Sequence, residues 1–281
     1  MNKSKGGKLM SAITYVVGNF KGGVGKTKIV TMLAYDNALI KNKRTLVVDM
    51  DPQGNASQVL ARTGNIEKIE NTITTGLKKM DLTDCVTPIM DNLDLIACDT
   101  SFRSFTKFVI KTYDNELDQV SVMSKLLAPL KEQYDTIFID VPPTISEFSD
   151  NAMVAADYSL IAFQTQEESF DGIKKYVGYQ NFMVERYGID LQVVGIIACM
   201  LKPDSKIDVN VMEEAREEYE SAVLDTIITY QERLKRYSRT GIHLEKNNNG
   251  NYEQWDFKAH KVFIDILNSV EARTKTLRES N

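Results

Sequence analysis

The chain has 281 residues, of which 43% are hydrophobic, 26% charged and 9% aromatic, the composition of an ordinary globular protein. This composition excludes a disordered, collagen-like or coiled-coil chain, and no apolar run approaches the roughly 18 residues of a membrane span. Three widely spaced cysteines and two histidines argue against a disulfide framework, a zinc site and a histidine-based metal site. The net charge of −5 argues against a protein that coats nucleic acid by bulk charge, so any such contact needs a local basic patch.

Taken in chain order, short apolar runs rich in β-branched residues alternate with longer amphipathic stretches, which is typical of parallel β-α-β units. The predicted strands are Ile13–Gly18, Thr45–Asp49, Leu93–Ala97, Thr136–Asp140, Ser159–Phe163, Val193–Cys199 and Leu224–Ile228. The predicted helices are Lys26–Lys41, Glu116–Lys131, Phe170–Tyr187, Val209–Ser221 and Phe257–Leu277. Between these elements, Asn55–Asp91 shows no clean periodicity.

The pattern predicts an α/β fold with a doubly wound, mostly parallel central sheet flanked by helices. We expect one domain over residues 13–281, preceded by a flexible, lysine-rich arm over residues 1–12 that lacks the apolar core of a secretory signal.

A glycine-rich loop follows the first predicted strand and precedes the first predicted helix, the context that a phosphate-binding P-loop requires. The loop reads Lys21-Gly-Gly-Val-Gly-Lys26-Thr27, with Phe20 where the general pattern has its first glycine. Its backbone N–H groups and the helix N-terminus are suited to an anion. Lys26 is predicted to reach the β- and γ-phosphates of a nucleotide, and Thr27 to offer its hydroxyl to Mg²⁺.

The second loop lysine, Lys21, lies five residues before Lys26, and here the chain resembles the deviant Walker A family of ParA- and MinD-type ATPases. The resemblance implies a P-loop NTPase of the deviant Walker A type that uses ATP and Mg²⁺. It also implies that Lys21 reaches across a dimer interface and neutralises charge on the nucleotide of the other subunit. Lys21 and Lys26 are therefore candidate catalytic residues.

Three aspartates follow predicted strands, at the sheet edge where ligands of open α/β sheets bind. The segment Asp49-Met-Asp51-Pro-Gln-Gly-Asn resembles the first switch of the same family. That resemblance implies that Asp51 positions, or accepts a proton from, the attacking water, while Asp49 holds the hydration shell of the metal. Asp140 ends an apolar strand before a Pro-Pro pair, the Walker B pattern, and is predicted to bind Mg²⁺ through water together with Thr27.

The chain departs from the family pattern after Thr27, where Lys28 replaces a second threonine that contacts the α-phosphate. In relatives the adenine contacts come from the segment after the sixth strand, which here is 200–203. The predicted nucleotide-binding residues are thus Lys21, Gly22, Gly23, Val24, Gly25, Lys26, Thr27, Lys28, Met200, Lys202 and Pro203.

The family resemblance implies DNA segregation, in the short, plasmid-encoded form without a helix-turn-helix domain before the P-loop. An ATP-bound homodimer would bind DNA non-specifically, and a centromere-binding, ParB-type partner would stimulate slow hydrolysis and release. The implied location is the cytoplasm, on the nucleoid. Candidate DNA contacts are Lys202, Lys206, Arg233, Lys235, Arg236 and Arg239, although a solvated helix face balanced by Glu213–Glu220 explains any single one of these cations nearly as well.

Two alternatives stay open. A MinD-like membrane-cycling ATPase needs a C-terminal amphipathic helix, and Phe257–Leu277 carries an apolar stripe, although packing against the sheet explains it more simply. A nucleotide-switched adaptor with degenerate catalysis is the other. A reductase of the nitrogenase iron-protein type is disfavoured because no cysteine lies within Asp140–Pro143. Trp255, the only tryptophan, is predicted to be buried.

Overall fold

The computed structural model describes residues 11–165, 167–199, 205–244, 246 and 249–280. The first ten residues of the predicted arm lie outside these ranges. So do the predicted adenine contacts Met200, Lys202 and Pro203, which therefore stay predictions.

A seven-stranded sheet forms the centre of the described structure. Its strands are β1 (Ile13–Gly18), β2 (Thr45–Asp49), β3 (Val86–Met90), β4 (Leu93–Ile96), β5 (Thr136–Asp140), β6 (Tyr158–Gln164) and β7 (Gln192–Cys199). They lie in the order β3-β4-β2-β5-β1-β6-β7, and every neighbouring pair is parallel except β3 and β4. The predicted doubly wound, mostly parallel sheet is confirmed.

Two strands differ from the sequence predictions. The predicted strand Leu224–Ile228 is wrong, because this segment meets β7 only through isolated bridges at Val223 and Ile228. The antiparallel edge strand β3 was not predicted. It contains Pro88, which cannot donate a ladder hydrogen bond and is tolerated because the strand lies at the edge of the sheet.

Helices cover both faces of the sheet. They are α1 (Lys26–Leu39), α2 (Asn55–Thr63), α3 (Ile73–Lys79), α4 (Phe105–Thr112), α5 (Glu116–Val120), α6 (Val122–Lys131), α7 (Glu147–Ala155), α8 (Glu167–Tyr187), α9 (Lys206–Tyr219), α10 (Glu232–Thr240) and α11 (Gln254–Ser280). The predicted helix Glu116–Lys131 is divided at Ser121 into α5 and α6. The sequence reading missed the shorter helices α2, α3, α4, α7 and α10.

The strands at the centre of the sheet are buried on both faces, as their apolar runs predict: β2 and β5 have no half-buried or exposed residue. One apolar cluster lies on each face of the sheet. This arrangement fixes the carboxyl ends of β1, β2 and β5 side by side, since β5 pairs with both of the other two.

The C-terminal helix α11 packs against α1 and β7. The apolar stripe of α11 is buried there, with Ala259, Phe263 and Ile266 at 0% exposure. The membrane-cycling alternative needs an apolar helix face that is free to contact lipid. The stripe of α11 is part of the protein core and is not such a face. No helix of the described residues is long and apolar enough to span a membrane.

The prediction that Trp255 is buried is wrong, because its side chain is 62% exposed. It lies in the first turn of α11, ahead of the buried stripe that begins at Asp256 and Ala259. A residue one position away from that stripe turns to solvent, since neighbouring helix positions point about 100° apart.

Candidate nucleotide-binding site

The glycine-rich loop runs from β1 into the N-terminus of α1. Gly23 and Gly25 have φ angles of 77° and 99°, in the left-handed region that residues with a Cβ avoid. Gly25 is the N-cap of α1, and no side chain caps the helix. The first N–H groups of α1 are therefore available to an anion, and the helix dipole favours negative charge there.

Side chains outside the glycine motif hold the loop in shape. Asn19 donates from Nδ2 to the carbonyl of Ala162 (2.7 Å) and accepts at Oδ1 from the N–H of Lys21 (2.8 Å). Gln164, at the end of β6, donates to the carbonyl of Gly23 (2.9 Å). The sequence reading did not single out Asn19 or Gln164, because their roles depend on β6 lying beside β1.

Lys26 is 7% exposed, and its Nζ donates to the carbonyls of Asn19 (3.0 Å) and Lys21 (3.2 Å). Burial lowers the pKa of the Lys26 ammonium, while the nearby carboxylates Asp140 and Asp51 raise it. Because the buried Lys26 ammonium is little screened by water, it attracts an anionic ligand in the loop strongly.

Asp140 lies opposite Asp49 in the pairing of β5 with β2, and both residues are 0% exposed. Oδ2 of Asp140 accepts a hydrogen bond from the Thr27 hydroxyl (2.8 Å), whereas Oδ1 is buried and has no partner among the described residues. Burial and the neighbouring Asp49 carboxylate raise the pKa of Asp140 well above its usual range. Two buried carboxylates carry more negative charge than the nearby Lys26 ammonium balances, which fits a further cation at the site.

Thr27 and Asp140 are the residues that would hold Mg²⁺. The described residues contain no group of three or more His, Cys, Asp or Glu side chains that could bind a metal ion. This sparse donor set matches Mg²⁺, which keeps several waters and takes phosphate oxygens as further ligands.

Asp49 uses both of its oxygens within the protein. Oδ1 accepts from the N–H of Asp51 (3.0 Å), and Oδ2 accepts from the N–H and hydroxyl of Ser57 (2.8 and 2.7 Å). The Ser57 hydroxyl in turn accepts from the N–H of Cys98. Burial raises the pKa of Asp49 to about 6, against these hydrogen bonds. Asp49 thus fastens the segment after β2 to α2, and its predicted metal role stays a prediction.

Asp51 is 8% exposed and accepts from the N–H of Gln53 (2.9 Å). It lines a pocket of about 560 Å³ together with the loop residues from Gly23 to Lys28 and with Arg62, whereas Asp49 and Lys21 are not part of this lining. The turn after Asp51 needs Gly54, whose φ is 63° and where a Cβ would lie 2.8 Å from the carbonyl oxygen of Cys98. The structure therefore brings together the P-loop and the predicted catalytic carboxylate.

Lys28 faces a second pocket of about 240 Å³, which adjoins the loop and is lined by Cys199, Ile228 and Tyr230 among others. Burial lowers the pKa of Lys28. The segment 228–231 was not predicted to contribute to the site. It lies beside the loop because Ile228 pairs with Cys199 at the end of β7.

The predicted DNA-binding cations in the described part of the chain differ in their surroundings. Lys206, Lys235, Arg236 and Arg239 are exposed. Arg233 is half-buried and pairs with Asp256 (2.9 Å) and Glu253 (3.1 Å), so its charge is compensated within the protein. The helix α10 therefore presents three exposed cations, and Arg233 serves mainly to hold α10 against α11.

Comparison with known proteins identifies the family of the chain that carries this site. A family model described as an AAA domain, AAA_31, matches residues 12–193. The chromosome partitioning protein ParA of Myxococcus xanthus is 31% identical over 230 residues, which cover 78% of this chain and 75% of that protein. The chain belongs to the ParA family of ATPases. This ParA-type chain is also 28% identical to the sporulation initiation inhibitor protein Soj of Bacillus subtilis, over 77% of this chain and 83% of Soj.

The fold of this ParA-type ATPase also matches a solved structure. A plasmid partition protein from Borrelia burgdorferi, bound to AMPPNP, superposes with a TM-score of 0.75 over 93% of this chain and 99% of that chain, at 22% identity. At 22% identity, this similarity supports the fold of the chain and nothing further. The sequence-based predictions of the family and of the fold class are therefore confirmed.

Proposed function

We propose that this ParA-type ATPase binds and slowly hydrolyses ATP with Mg²⁺, and that it moves DNA by switching between ATP-bound and free states. The observation that carries the proposal is the contact between Thr27 and Asp140, which leaves Oδ1 of Asp140 buried and unpartnered behind the P-loop. A buried carboxylate oxygen without a partner is costly unless a cation joins it. The AMPPNP bound to the Borrelia burgdorferi protein supports ATP as the nucleotide.

In this proposal the residues of the site have separate roles. The N–H groups of the loop and the ammonium of Lys26 bind the β- and γ-phosphates, and Thr27 and Asp140 hold the metal. Bound Mg²⁺ supplies neutralisation of charge on the phosphate oxygens. Asp51 lines the same pocket and orients, or takes a proton from, the attacking water.

Lys21 acts on the nucleotide of a second subunit, so the active form is a homodimer. Its backbone N–H is held by Asn19, which fixes where its side chain leaves the loop. A cation supplied across an interface stabilises the departing phosphoryl group only when two protomers are paired, so hydrolysis follows dimerisation.

DNA binding is non-specific and uses the exposed cations Lys206, Lys235, Arg236 and Arg239 against phosphate oxygens. Only a dimer presents two such surfaces. Once one surface has bound DNA, the other is held close to it, so the dimer binds DNA more tightly than one protomer does. A centromere-binding, ParB-type partner stimulates hydrolysis and releases the DNA. The protein acts in the cytoplasm, on the nucleoid.

The test is retention of a long duplex DNA on a filter or surface with ATP, ADP or a non-hydrolysable ATP analogue, each with Mg²⁺. We expect retention with ATP and with the analogue, weak retention with ADP, and a steep loss with added salt because phosphate contacts release counter-ions. Equal retention in ATP and ADP would contradict the proposal.

A further inference from the structure

Two large aromatic side chains are exposed beside the basic helix α10. Trp255 and Tyr230 are both 62% exposed, although aromatic side chains of this size are usually well buried. They line one groove of about 430 Å³, between the segment that precedes α10 and the first turn of α11. We call this surface the aromatic groove; its members include Tyr230, Glu232, Arg233, Arg236, Trp255 and Lys258.

Charged side chains of both signs line the aromatic groove. Arg233 is neutralised by Asp256 and Glu253, and the Tyr230 hydroxyl donates to Glu232 (2.6 Å). Within the described ranges, neither Arg236 nor Lys258 has a carboxylate partner. Lys258 Nζ instead lies over the Trp255 ring, 5.8 Å from its centre. The groove therefore offers flat aromatic faces next to two cations.

We propose that the aromatic groove binds single-stranded nucleic acid, with a base stacked on Trp255 or Tyr230 and phosphates at Arg236 and Lys258. Aromatic platforms combined with a basic track are how proteins bind single strands without reading sequence. The basic track continues along α10, where Lys235 and Arg239 are also exposed. A line of several cations suits the evenly spaced phosphates of a nucleic-acid strand. The carboxylates of an acidic peptide are spaced less evenly and suit it less well.

The exposed aromatic rings favour one strand over a duplex, because they line an open recess of about 430 Å³. The base faces of a duplex are also covered by their stacked neighbours, so only an unpaired base can lie flat on Trp255. This inference extends the proposed DNA binding, and it rests on the proposed function because both use the exposed cations of α10.

The test uses the full chain and its single tryptophan as a reporter. Titration with a ten-residue oligothymidine should quench Trp255 fluorescence to a saturable level, because a stacked base lies on the indole ring. A blunt ten-base-pair duplex should quench much less at equal phosphate concentration, and a polyglutamate peptide should not quench. Affinity is measured in parallel from the fluorescence anisotropy of a labelled oligothymidine.

Variants separate stacking from charge. Trp255→Ala should weaken oligothymidine binding at least fivefold with an unchanged salt slope, and Trp255→Phe should restore most of the affinity. Arg236→Ala and Lys258→Ala should each reduce the slope of log K against log salt by about 0.7. Matched controls are Phe182→Ala, which removes an aromatic side chain 51% exposed on α8, and Lys107→Ala, which removes an exposed cation on α4.

Wild-type affinity in Trp255→Ala, or losses of equal size in Phe182→Ala, would overturn the proposal. Saturable quenching by polyglutamate, but not by oligothymidine, would also overturn it and indicate a docking site for an acidic protein segment. Retention of long duplex DNA by the wild type, measured as for the proposed function, distinguishes the two proposals. ATP-dependent retention without oligothymidine quenching removes the groove proposal alone, whereas quenching without ATP-dependent retention removes the proposed function alone.

Discussion

At the scale of single residues, the site is built from buried charges whose partners are missing or incomplete. Lys26 is desolvated, and Oδ1 of Asp140 has no partner, so both gain interactions when an anion and a cation arrive together. Asp51 differs from them because it lies at the wall of the pocket and is not part of the buried carboxylate pair. Binding and hydrolysis should therefore be separable by substitution.

The first prediction compares Lys26→Ala with Asp51→Ala. Loss of Lys26 removes the ammonium that we propose contacts the phosphates, so ATP binding should fall at least tenfold and DNA retention should disappear. Asp51→Ala should keep ATP binding, lose at least a hundredfold in hydrolysis rate and stay on DNA in ATP. Equilibrium binding of a fluorescent ATP analogue, phosphate release and DNA retention measure the three effects. Identical behaviour of the two variants would show that the roles are assigned wrongly.

The second prediction concerns the buried charge of Asp140. The folded protein raises the pKa of this carboxyl, so the wild type loses stability as pH rises from about 4 through that raised pKa. Asp140→Asn does not titrate and can still accept a hydrogen bond from Thr27. Without nucleotide, the variant should therefore gain stability relative to the wild type as pH rises, by about 1.4 kcal/mol for each tenfold change in the acidity constant of Asp140 on folding.

Urea unfolding at pH 5 and pH 8 measures this gain in Asp140→Asn. Added ATP and Mg²⁺ should reverse the order, because ligand binding stabilises only the protein that holds the metal well. A stability difference that does not change with pH would mean that Asp140 is already compensated in the free protein.

At the scale of elements, α11 is fastened to α1 by a polar contact inside an apolar interface. Nδ1 of His260 lies 2.5 Å from Oδ1 of Asp36, and both side chains are 0% exposed. Nε2 of His260 contacts the carbonyl of His243 (3.1 Å), while Oδ2 of Asp36 has no partner. Because α1 begins at the P-loop, this contact also fixes the far end of the nucleotide-binding helix.

The third prediction is that His260→Ala destabilises the protein by about 3 kcal/mol or more, since it leaves Asp36 buried without its partner as well as a cavity. Lys261→Ala is the matched control, because Lys261 pairs with Asp265 on the exposed face of α11 and should matter by less than about 0.5 kcal/mol. Chemical unfolding without nucleotide measures both variants. A loss in His260→Ala no larger than in the control would show that apolar packing alone holds α11.

At the scale of the whole molecule, the proposed cycle depends on two chains sharing two active sites. The net charge of −5 does not favour DNA binding by one protomer, and the exposed cations are local to α9 and α10. Pairing of two such surfaces is what would make the affinity for DNA depend on nucleotide.

The fourth prediction tests the shared site by mixing two inactive variants. Lys21→Ala and Asp51→Ala should each bind ATP and hydrolyse it at least a hundredfold more slowly than the wild type. A mixed dimer contains one intact site, made of Asp51 from one protomer and Lys21 from the other. An equimolar mixture should therefore recover about a quarter of wild-type activity, since half of the dimers are mixed and each has one active site of two. A mixture that remains inactive would place Lys21 in its own subunit's site.

The sequence by itself determined the P-loop, the strands that carry Asp49 and Asp140, and the parallel sheet. These features are local: contiguous residues form the loop, and strands buried on both faces must be apolar throughout. Only the tertiary structure decided which side chains serve those features. Asn19 holds the loop by donating to Ala162, and Ser57 holds the segment after β2 by accepting from Cys98; both partners are far away in sequence.

The same reason explains the errors. Leu224–Ile228 has the composition of a strand, but composition does not say whether a neighbour is available along its whole length, and β7 meets it only at isolated points. Trp255 is a residue that is usually buried, and only the orientation of α11 places it on the surface. Burial and pairing belong to the contact between elements, so no single segment of the chain can encode them alone.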